Sequence, residues 1–227
     1  ETYYKNKNIN VHYIGHPFLD DLESKLYIGS KEDFGLNKNK KLIGVFPGSR
    51  SEELKRHLPI YLETIHKIKK QYPKIECALG LAPGFNKTEI EKKYNTKNIY
   101  IVDQNPLKML SCCDVALVTS GTISLEASFM NIPSIVSYKL SNISWIISLL
   151  LLKTKYISIT NIIKNKMIIP ELTQHDVTPN NLENHLINIL GKNNVYIKNE
   201  LKELKEDFLN KKNAINNAAK LISNKYV

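Results

Sequence analysis

Short runs of apolar, β-branched residues recur along the first part of the chain, and turn-forming residues follow each run. The runs lie at 41–46, 75–81, 99–102, 114–118 and 134–137. Between them, apolar residues are spaced as on one face of a helix, for example Leu58, Leu62, Ile65 and Ile68. Continuous apolar strands that alternate with helices are typical of a parallel sheet covered on both faces. The pattern therefore predicts an α/β fold, a Rossmann-like parallel sheet with flanking helices, over residues 24–190.

The two ends of the chain break this alternation. Apolar residues at 11–14 lead into Gly15-His16-Pro17, which predicts a strand ending in a turn, and we interpret residues 1–23 as a connection between domains. Residues 191–227 are rich in Lys, Asn, Glu and Leu at helical spacing, which predicts one or two helices outside the core. Because the chain opens on Glu1 rather than Met, we expect it to be a piece of a longer protein.

A largely apolar run at 143–152 contains Trp145 and is followed by Lys153 and Lys155. A membrane-spanning helix needs about 20 apolar residues, so this run is too short to cross a bilayer. Two interpretations stay open: a buried helix, or a helix in the membrane interface whose Trp and Lys side chains lie among the headgroups.

Charge and cysteine content restrict the binding partners and the cellular environment that we expect for the chain. The chain has 32 Lys and Arg against 22 Asp and Glu, a formal net charge of +10, and its lysines are scattered rather than gathered in one stripe. Dispersed charge favours a solvated surface over nucleic-acid binding, and it also suits anionic lipid or a pyrophosphate. Cys77, Cys112 and Cys113 show neither disulfide nor zinc spacing, which indicates a reducing, cytoplasmic environment.

The loops after two predicted strands carry candidate chemistry. In an open parallel sheet, ligands bind beyond the carboxyl ends of the strands. The first strand is followed by Gly48, Ser49 and Arg50, then by Ser51. Gly48 permits close backbone approach, a serine suits the helix cap, free N–H groups at the helix start attract an anion, and Arg50 offers a two-pronged donor for phosphate. The alternative is an ordinary capped turn with an exposed arginine.

A second loop of the same kind follows a later strand as Ser120-Gly121-Thr122. Glu126 lies four residues after Thr122, on the same helix face, where its carboxylate could accept hydrogen bonds from ribose hydroxyls. The alternative for Glu126 is a solvated helix residue. Two loops that could each bind phosphate, together with an acid that could bind ribose, indicate a nucleoside diphosphate site more strongly than either loop alone.

Other signals are weaker or absent. Asn161, Glu171 and Gln174 are side chains that recognise hydroxyls and amides, although they are also common as loop and capping residues. The sequence has no dinucleotide fingerprint, P-loop or nucleophile elbow. His12 and His16 are four residues apart on a predicted strand, too far to share one ion, so we expect no metal site.

Several motifs, in this order, resemble those of the lipid-A-disaccharide synthases from about residue 11 to residue 190: Tyr13-Ile14-Gly15-His16-Pro17, Pro47-Gly48-Ser49-Arg50, Ser120-Gly121-Thr122 with Glu126, and Pro170-Glu171-Leu172 with Gln174. The resemblance implies the C-terminal half of a GT-B glycosyltransferase that needs no cofactor. The implied reaction transfers 2,3-diacylglucosamine from UDP-2,3-diacylglucosamine to 2,3-diacylglucosamine 1-phosphate. It also implies a location at the cytoplasmic face of the bacterial inner membrane, and it leaves the oligomeric state open.

The resemblance assigns substrate-binding roles residue by residue. Arg50 and the Ser120-Gly121-Thr122 turn, together with Gly48 and Ser49, would bind the diphosphate, and Glu126 the ribose. Asn161, Glu171 and Gln174 would lie near the uracil or the sugar. Two departures are Tyr138-Lys139, where the family usually has Tyr-Arg, and Ile159-Thr160-Asn161, where it usually has Leu-Pro-Asn.

Nothing in the chain resembles the family's N-terminal domain, where we expect the general base and onto which residues 191–227 would pack. We therefore expect no transferase activity from this chain alone. Two alternatives stay open. One is another UDP-sugar enzyme, such as a peptidoglycan glycosyltransferase or a UDP-N-acetylglucosamine 2-epimerase. The other is a non-catalytic module that binds a UDP-sugar or the membrane surface.

Overall fold

A computed structural model describes residues 4, 6–141, 145, 154–191, 194–209 and 213–226. The apolar run at 143–152 lies, apart from Trp145, outside these residues. Within the described ranges, six parallel strands form one sheet: β1 Leu42–Phe46, β2 Glu76–Gly80, β3 Tyr100–Val102, β4 Val115–Thr119, β5 Ser134–Tyr138 and β6 Glu171–Thr173. Their order is β3-β2-β1-β4-β5-β6, the order of a doubly wound Rossmann-like sheet.

The first five strands confirm the five predicted apolar runs, with each end within one residue. The sixth strand, β6, was not predicted, because only Leu172 of its three residues is apolar and no run marks it. Parallel pairing with β5 nevertheless aligns Val136 with Glu171 and Tyr138 with Thr173. The central strands are buried along their whole length, as expected where helices cover both faces of the sheet.

Helices alternate with the strands along the chain: α1 Pro17–Glu23, α2 Ser51–Gln71, α3 Lys87–Lys93, α4 Pro106–Leu110, α5 Thr122–Phe129, α6 Ile159–Lys164, α7 Pro179–Leu190, α8 Asn194–Leu209 and α9 Ala214–Tyr226, with 3-10 turns at Lys31–Phe34 and Gln174–Asp176. The predicted apolar face of α2 is confirmed, since Leu58, Ile65 and Ile68 are fully buried. This helix packs beside α7, where Lys67 pairs with Glu183 at 2.9 Å.

The strand predicted at 11–14 is wrong. These residues are irregular, and the chain enters α1 at Pro17, which suits the first turn of a helix. The reason is that the side chains here pack on helices rather than extending a sheet: the Tyr13 ring meets Phe208 edge-on at 6.4 Å. The apolar face of α1 packs against Phe129 and Leu204. The role of residues 1–23 as a connection between domains stays a prediction.

The two predicted C-terminal helices, α8 and α9, are present. The expectation that they lie outside the core is corrected for α8, which buries Ile197, Leu201 and Leu204 against this domain. Helix α9 instead leaves Ile215 and Ile222 exposed. The expected packing on a second domain stays a prediction.

The Phe46 ring lies against two glycines, Gly44 of β1 and Gly80 of β2. A Cβ atom added at Gly44 would come within 2.9 Å of the ring, and one added at Gly80 within 2.4 Å. Real Cβ atoms essentially never approach so closely, so the glycines are what make room for the ring. Phe46 and Gly80 both lie at the carboxyl end of the sheet, where they form the floor of a cavity.

Candidate functional site

The cavity opens at the carboxyl ends of β1 and β4, the point where the strand order reverses. Its volume is about 410 Å³. Both predicted loops border it because β1 and β4 are neighbours in the sheet. The cavity thus brings together these predicted residues: Gly48, Ser49, Arg50, Ser120, Gly121, Thr122 and Glu126.

In the first loop, the carboxylate of Glu53 occupies the N–H groups that we expected an anion to use. Its Oε2 atom accepts hydrogen bonds from the main-chain N–H of Ser49 at 3.1 Å and of Arg50 at 3.4 Å. Its Oε1 atom accepts from Nη1 of Arg50 at 2.8 Å. The predicted serine cap is therefore wrong, because Arg50 is the N-cap residue and Glu53 satisfies the helix start.

Gly48 makes room for this arrangement. Its φ of +108° lies in the region that favours glycine, and an added Cβ would come within 2.4 Å of the Glu53 carboxylate. Arg50 itself stays 81% exposed, although one of its five N–H donors already serves Glu53. The remaining donors of Arg50 can bind a ligand in the cavity.

The second loop differs from the first in how its helix begins. Helix α5 begins after Gly121, and no side chain of the described residues caps its start. The Ser124 hydroxyl donates to the Gly121 carbonyl at 2.8 Å, and the Ser120 hydroxyl donates to the Ile157 carbonyl at 3.2 Å. Among the described residues, no side chain accepts from the first N–H groups of α5, and they offer an anion-binding site at the positive end of a helix.

Glu126 lies one turn further along α5, on the cavity wall. It is half-buried, and this burial raises the pKa of its carboxyl group above the usual range. Among the part of the chain that the structure describes, no Lys, Arg or His forms an ion pair with it. An acceptor of this kind, close to a phosphate-binding helix start, is suited to sugar hydroxyls.

The third predicted cluster lies away from the cavity, in a buried network. Asn161 has no exposed surface: its amide nitrogen donates to the Ile169 carbonyl at 2.8 Å and to Glu171 at 2.7 Å. Its amide oxygen accepts from the N–H groups of Ile168 and Ile169 at 2.8 and 3.2 Å. All four hydrogen-bonding sites of this amide are therefore used within the protein.

Glu171 and Gln174 also form hydrogen bonds within the protein. Glu171 also accepts from the N–H groups of Ile157 and Ser158 at 2.8 and 2.9 Å, and from the Ser158 hydroxyl at 2.7 Å. The Gln174 amide oxygen accepts from the N–H of Leu140 at 2.8 Å. This arrangement favours the loop and capping interpretation for Asn161, Glu171 and Gln174, and their contact with a ligand stays a prediction.

Glu53 lines the candidate site, and sequence reasoning missed it. Its place in the cavity was not predicted. The signal was available, because an acid three residues after the helix cap is the spacing of a capping box. Within the described ranges, no group of three or more His, Cys, Asp and Glu residues could hold a metal ion, and no helix is long and apolar enough to cross a membrane.

Comparison with known proteins identifies the family. A sequence model of the lipid-A-disaccharide synthetases matches residues 1–226. The chain belongs to the lipid-A-disaccharide synthetase family. A lipid-A-disaccharide synthase of Nitrosococcus oceani is 31% identical over 192 residues, which cover 83% of this chain and 49% of the relative. Lipid-A-disaccharide synthase 1 of Legionella pneumophila is 28% identical over 211 residues, covering 91% and 55%. The chain thus spans about half the length of these synthases.

Solved structures support the fold of this synthetase-family chain. The kitacinnamycin glycosyltransferase matches with a TM-score of 0.57 at 18% identity, over 83% of this chain and 43% of its own. The UDP-GlcNAc 2-epimerase from Neisseria meningitidis, solved with UDP-GlcNAc bound, matches with a TM-score of 0.56 at 15% identity, over 92% and 58%. At such identities the likeness concerns the fold alone. It confirms the predicted α/β class, a Rossmann-like half of the GT-B type.

Proposed function

We propose that this chain forms the donor-binding half of a lipid-A-disaccharide synthase, with UDP-2,3-diacylglucosamine as donor and 2,3-diacylglucosamine 1-phosphate as acceptor. One observation carries the proposal: Arg50, the uncapped start of α5 and Glu126 surround one cavity at the switch point of the sheet. Family membership supports the reaction class, and the cavity supports a nucleoside diphosphate as the bound group.

The chemistry follows from the charges that develop during transfer. Departing UDP gains negative charge, which Arg50 and the N–H groups at the start of α5 stabilise. Glu126 accepts hydrogen bonds from the ribose hydroxyls and fixes the nucleoside. The attacking hydroxyl must lose a proton to a base. We assign that base to the part of the relatives that this chain does not cover, so the chain alone is expected to be inactive.

The same proposal includes a location at the cytoplasmic face of the inner membrane, because both substrates carry acyl chains. Exposed apolar side chains on and after α6, namely Ile162, Ile163 and Met167, support contact with a lipid surface. Lys164 and Lys166 lie between them in the sequence, but both pair with acids of α8, Lys164 with Asp207 at 3.2 Å and Lys166 with Glu200 at 2.6 Å, so the support comes from the apolar side chains. Flotation with anionic vesicles tests this part, and equal flotation of wild type and an Ile163→Glu, Met167→Glu variant contradicts it.

Calorimetric titration with UDP and with uridine tests the donor site. Arg50→Ala should weaken UDP binding by about tenfold or more and leave uridine binding unchanged, because it removes a charge-assisted contact to phosphate alone. Glu126→Ala should weaken both ligands by a similar factor, since both carry the ribose. Arg56→Ala is the matched control, because Arg56 lies on the same helix and pairs with Glu52 at 3.2 Å.

Two results contradict the proposal. One is a folded wild-type chain that binds neither UDP nor uridine. The other is an equal loss of UDP affinity in the Arg50→Ala and Arg56→Ala variants, which would indicate general attraction to a basic protein. Disaccharide formation by this chain alone would contradict the assignment of the base.

A further inference from the structure

The cavity assigned to a diphosphate is lined by more negative than positive charge. Its ionisable lining residues, within the part of the chain that the structure describes, are Arg50, Glu53 and Glu126. One guanidinium therefore faces two carboxylates, in a protein whose formal net charge is +10. Since the rest of the chain is strongly basic, the acidity of this cavity is a local property of its lining.

Glu53 is the carboxylate that binds Arg50, the same side chain that would bind the diphosphate. Three donors hold it: the main-chain N–H groups of Ser49 and Arg50, and Nη1 of Arg50. Its side chain is 16% exposed, whereas that of the neighbouring Glu52 is 65% exposed and pairs with Lys55 and Arg56 outside the cavity. A phosphate bound to the free donors of Arg50 therefore lies close to a fixed negative charge.

Substrate and product differ in how strongly they experience that charge. A sugar nucleotide has two negative charges on its diphosphate. Free UDP has about three near pH 8, because its terminal phosphate loses a second proton near pH 6. The additional charge of UDP appears on the phosphate that carried the sugar. A fixed carboxylate beside that phosphate opposes the product more than the substrate.

We propose that Glu53 sets the charge preference of the donor site: it shares Arg50 with the diphosphate and disfavours the third negative charge of UDP, which promotes product release. This inference rests on the proposed function. It makes Glu53 a positioning and selectivity residue that acts through Arg50 and through its own charge. The N–H groups at the start of α5 then carry more of the phosphate binding than those of the first loop.

The test compares two ligands of nearly equal size and different charge, UDP and its β-methyl ester, by calorimetry near pH 8. The measured quantity is the ratio of their Kd values. Glu53→Gln should shift that ratio in favour of UDP by between about threefold and tenfold. This is the range for unit charges about 6 Å apart at an effective dielectric constant between about 80 and 40. Glu52→Gln is the matched control, because it removes the same charge one residue away.

A second variant guards against a folding defect. Glu53→Ala also removes the charge, and any disorder it causes in the loop weakens both ligands and cancels in the ratio. Circular dichroism verifies that each variant is folded. A shifted ratio in either folded Glu53 variant, with no shift in Glu52→Gln, supports the proposal.

An unchanged ratio in the Glu53 variants, or an equal shift in Glu52→Gln, overturns this inference and leaves the proposed function standing if wild type binds both ligands. A wild-type chain that binds neither ligand overturns both.

Discussion

The Nε2 atom of His57 accepts a hydrogen bond from the main-chain N–H of Lys139 across 3.0 Å. An accepting ring nitrogen carries no proton, so the imidazole proton lies on Nδ1, which donates to the Glu53 carbonyl at 2.8 Å. His57 has no exposed surface. It therefore joins the helix that carries the first loop to the residue that follows β5, and it does so as a neutral imidazole.

The stability of the protein should accordingly depend on pH through His57. Burial lowers the pKa of this histidine below 6.5, while the hydrogen bond to the Glu53 carbonyl acts in the opposite direction. Because the folded-state pKa is the lower one, the contribution of His57 is complete above about pH 6.5 and is lost as pH falls below it. We expect the free energy of unfolding in urea to fall between about pH 7.5 and pH 5.5.

His57→Gln should show a smaller fall over this interval, because its side chain does not titrate. His16, whose pKa burial also lowers, accounts for part of the fall that remains. His12→Gln is the control, because His12 is exposed. Equal pH dependence in wild type and His57→Gln would show that His57 is not the group responsible.

Asn161→Ala should lower the free energy of unfolding by at least about 2 kcal/mol. The substitution leaves the buried N–H groups of Ile168 and Ile169 without their acceptor and deprives Glu171 of a donor. Asn184→Ala, on the exposed side of α7, should be neutral or slightly stabilising. A folded Asn161→Ala variant with wild-type stability and lost UDP affinity would instead favour the ligand role that the family resemblance implies.

Asp114→Asn should destabilise the protein by about 1.5–3 kcal/mol near pH 7. Its carboxylate accepts from Lys31 and Lys41 at 2.8 Å each and from the N–H of Leu42 at 2.9 Å. Burial raises the pKa of Asp114, but these donors outweigh it, and the resulting pKa lies below 3.8. The contribution of the carboxylate is thus present above about pH 3.8 and lost as pH falls further.

Urea unfolding near pH 7 and near pH 3 measures this effect. The difference between wild type and Asp114→Asn should shrink at the lower pH. Asp103→Asn, at an exposed position, serves as control. A loss that stays the same at both pH values would indicate that shape, rather than charge, is what Asp114 contributes.

The strands and the two loops could be predicted because their signals are local. A strand buried on both faces must be a run of apolar residues, so the runs around Val45 and Leu117 revealed the sheet. Strand β6 has no such run, because its outer two residues are polar and Glu171 turns its carboxylate to the N–H groups of a neighbouring loop.

The direction of a side chain could not be predicted in the same way. Asn161 and Glu171 suit a ligand's hydroxyls and an interior loop's N–H groups equally well, since both need the same donors and acceptors. Glu53 is a case in which the local signal was present in the sequence, as the spacing of a capping box. Its place beside Arg50 could not be predicted, because it depends on the folded turn at Gly48. Residue type identified the candidate chemistry, and the fold selected which residues reach the cavity.

The fit of Phe46 between two glycines also constrains how the family's sequences can diverge. While an aromatic ring occupies position 46, even a methyl group at position 80 collides with it, so alanine there becomes accessible only after the ring has been replaced. The reverse order passes through a misfit intermediate that selection would remove. Positions 46 and 80 should therefore covary among homologues, and lineages that have lost the ring should be the ones in which position 80 has drifted from glycine.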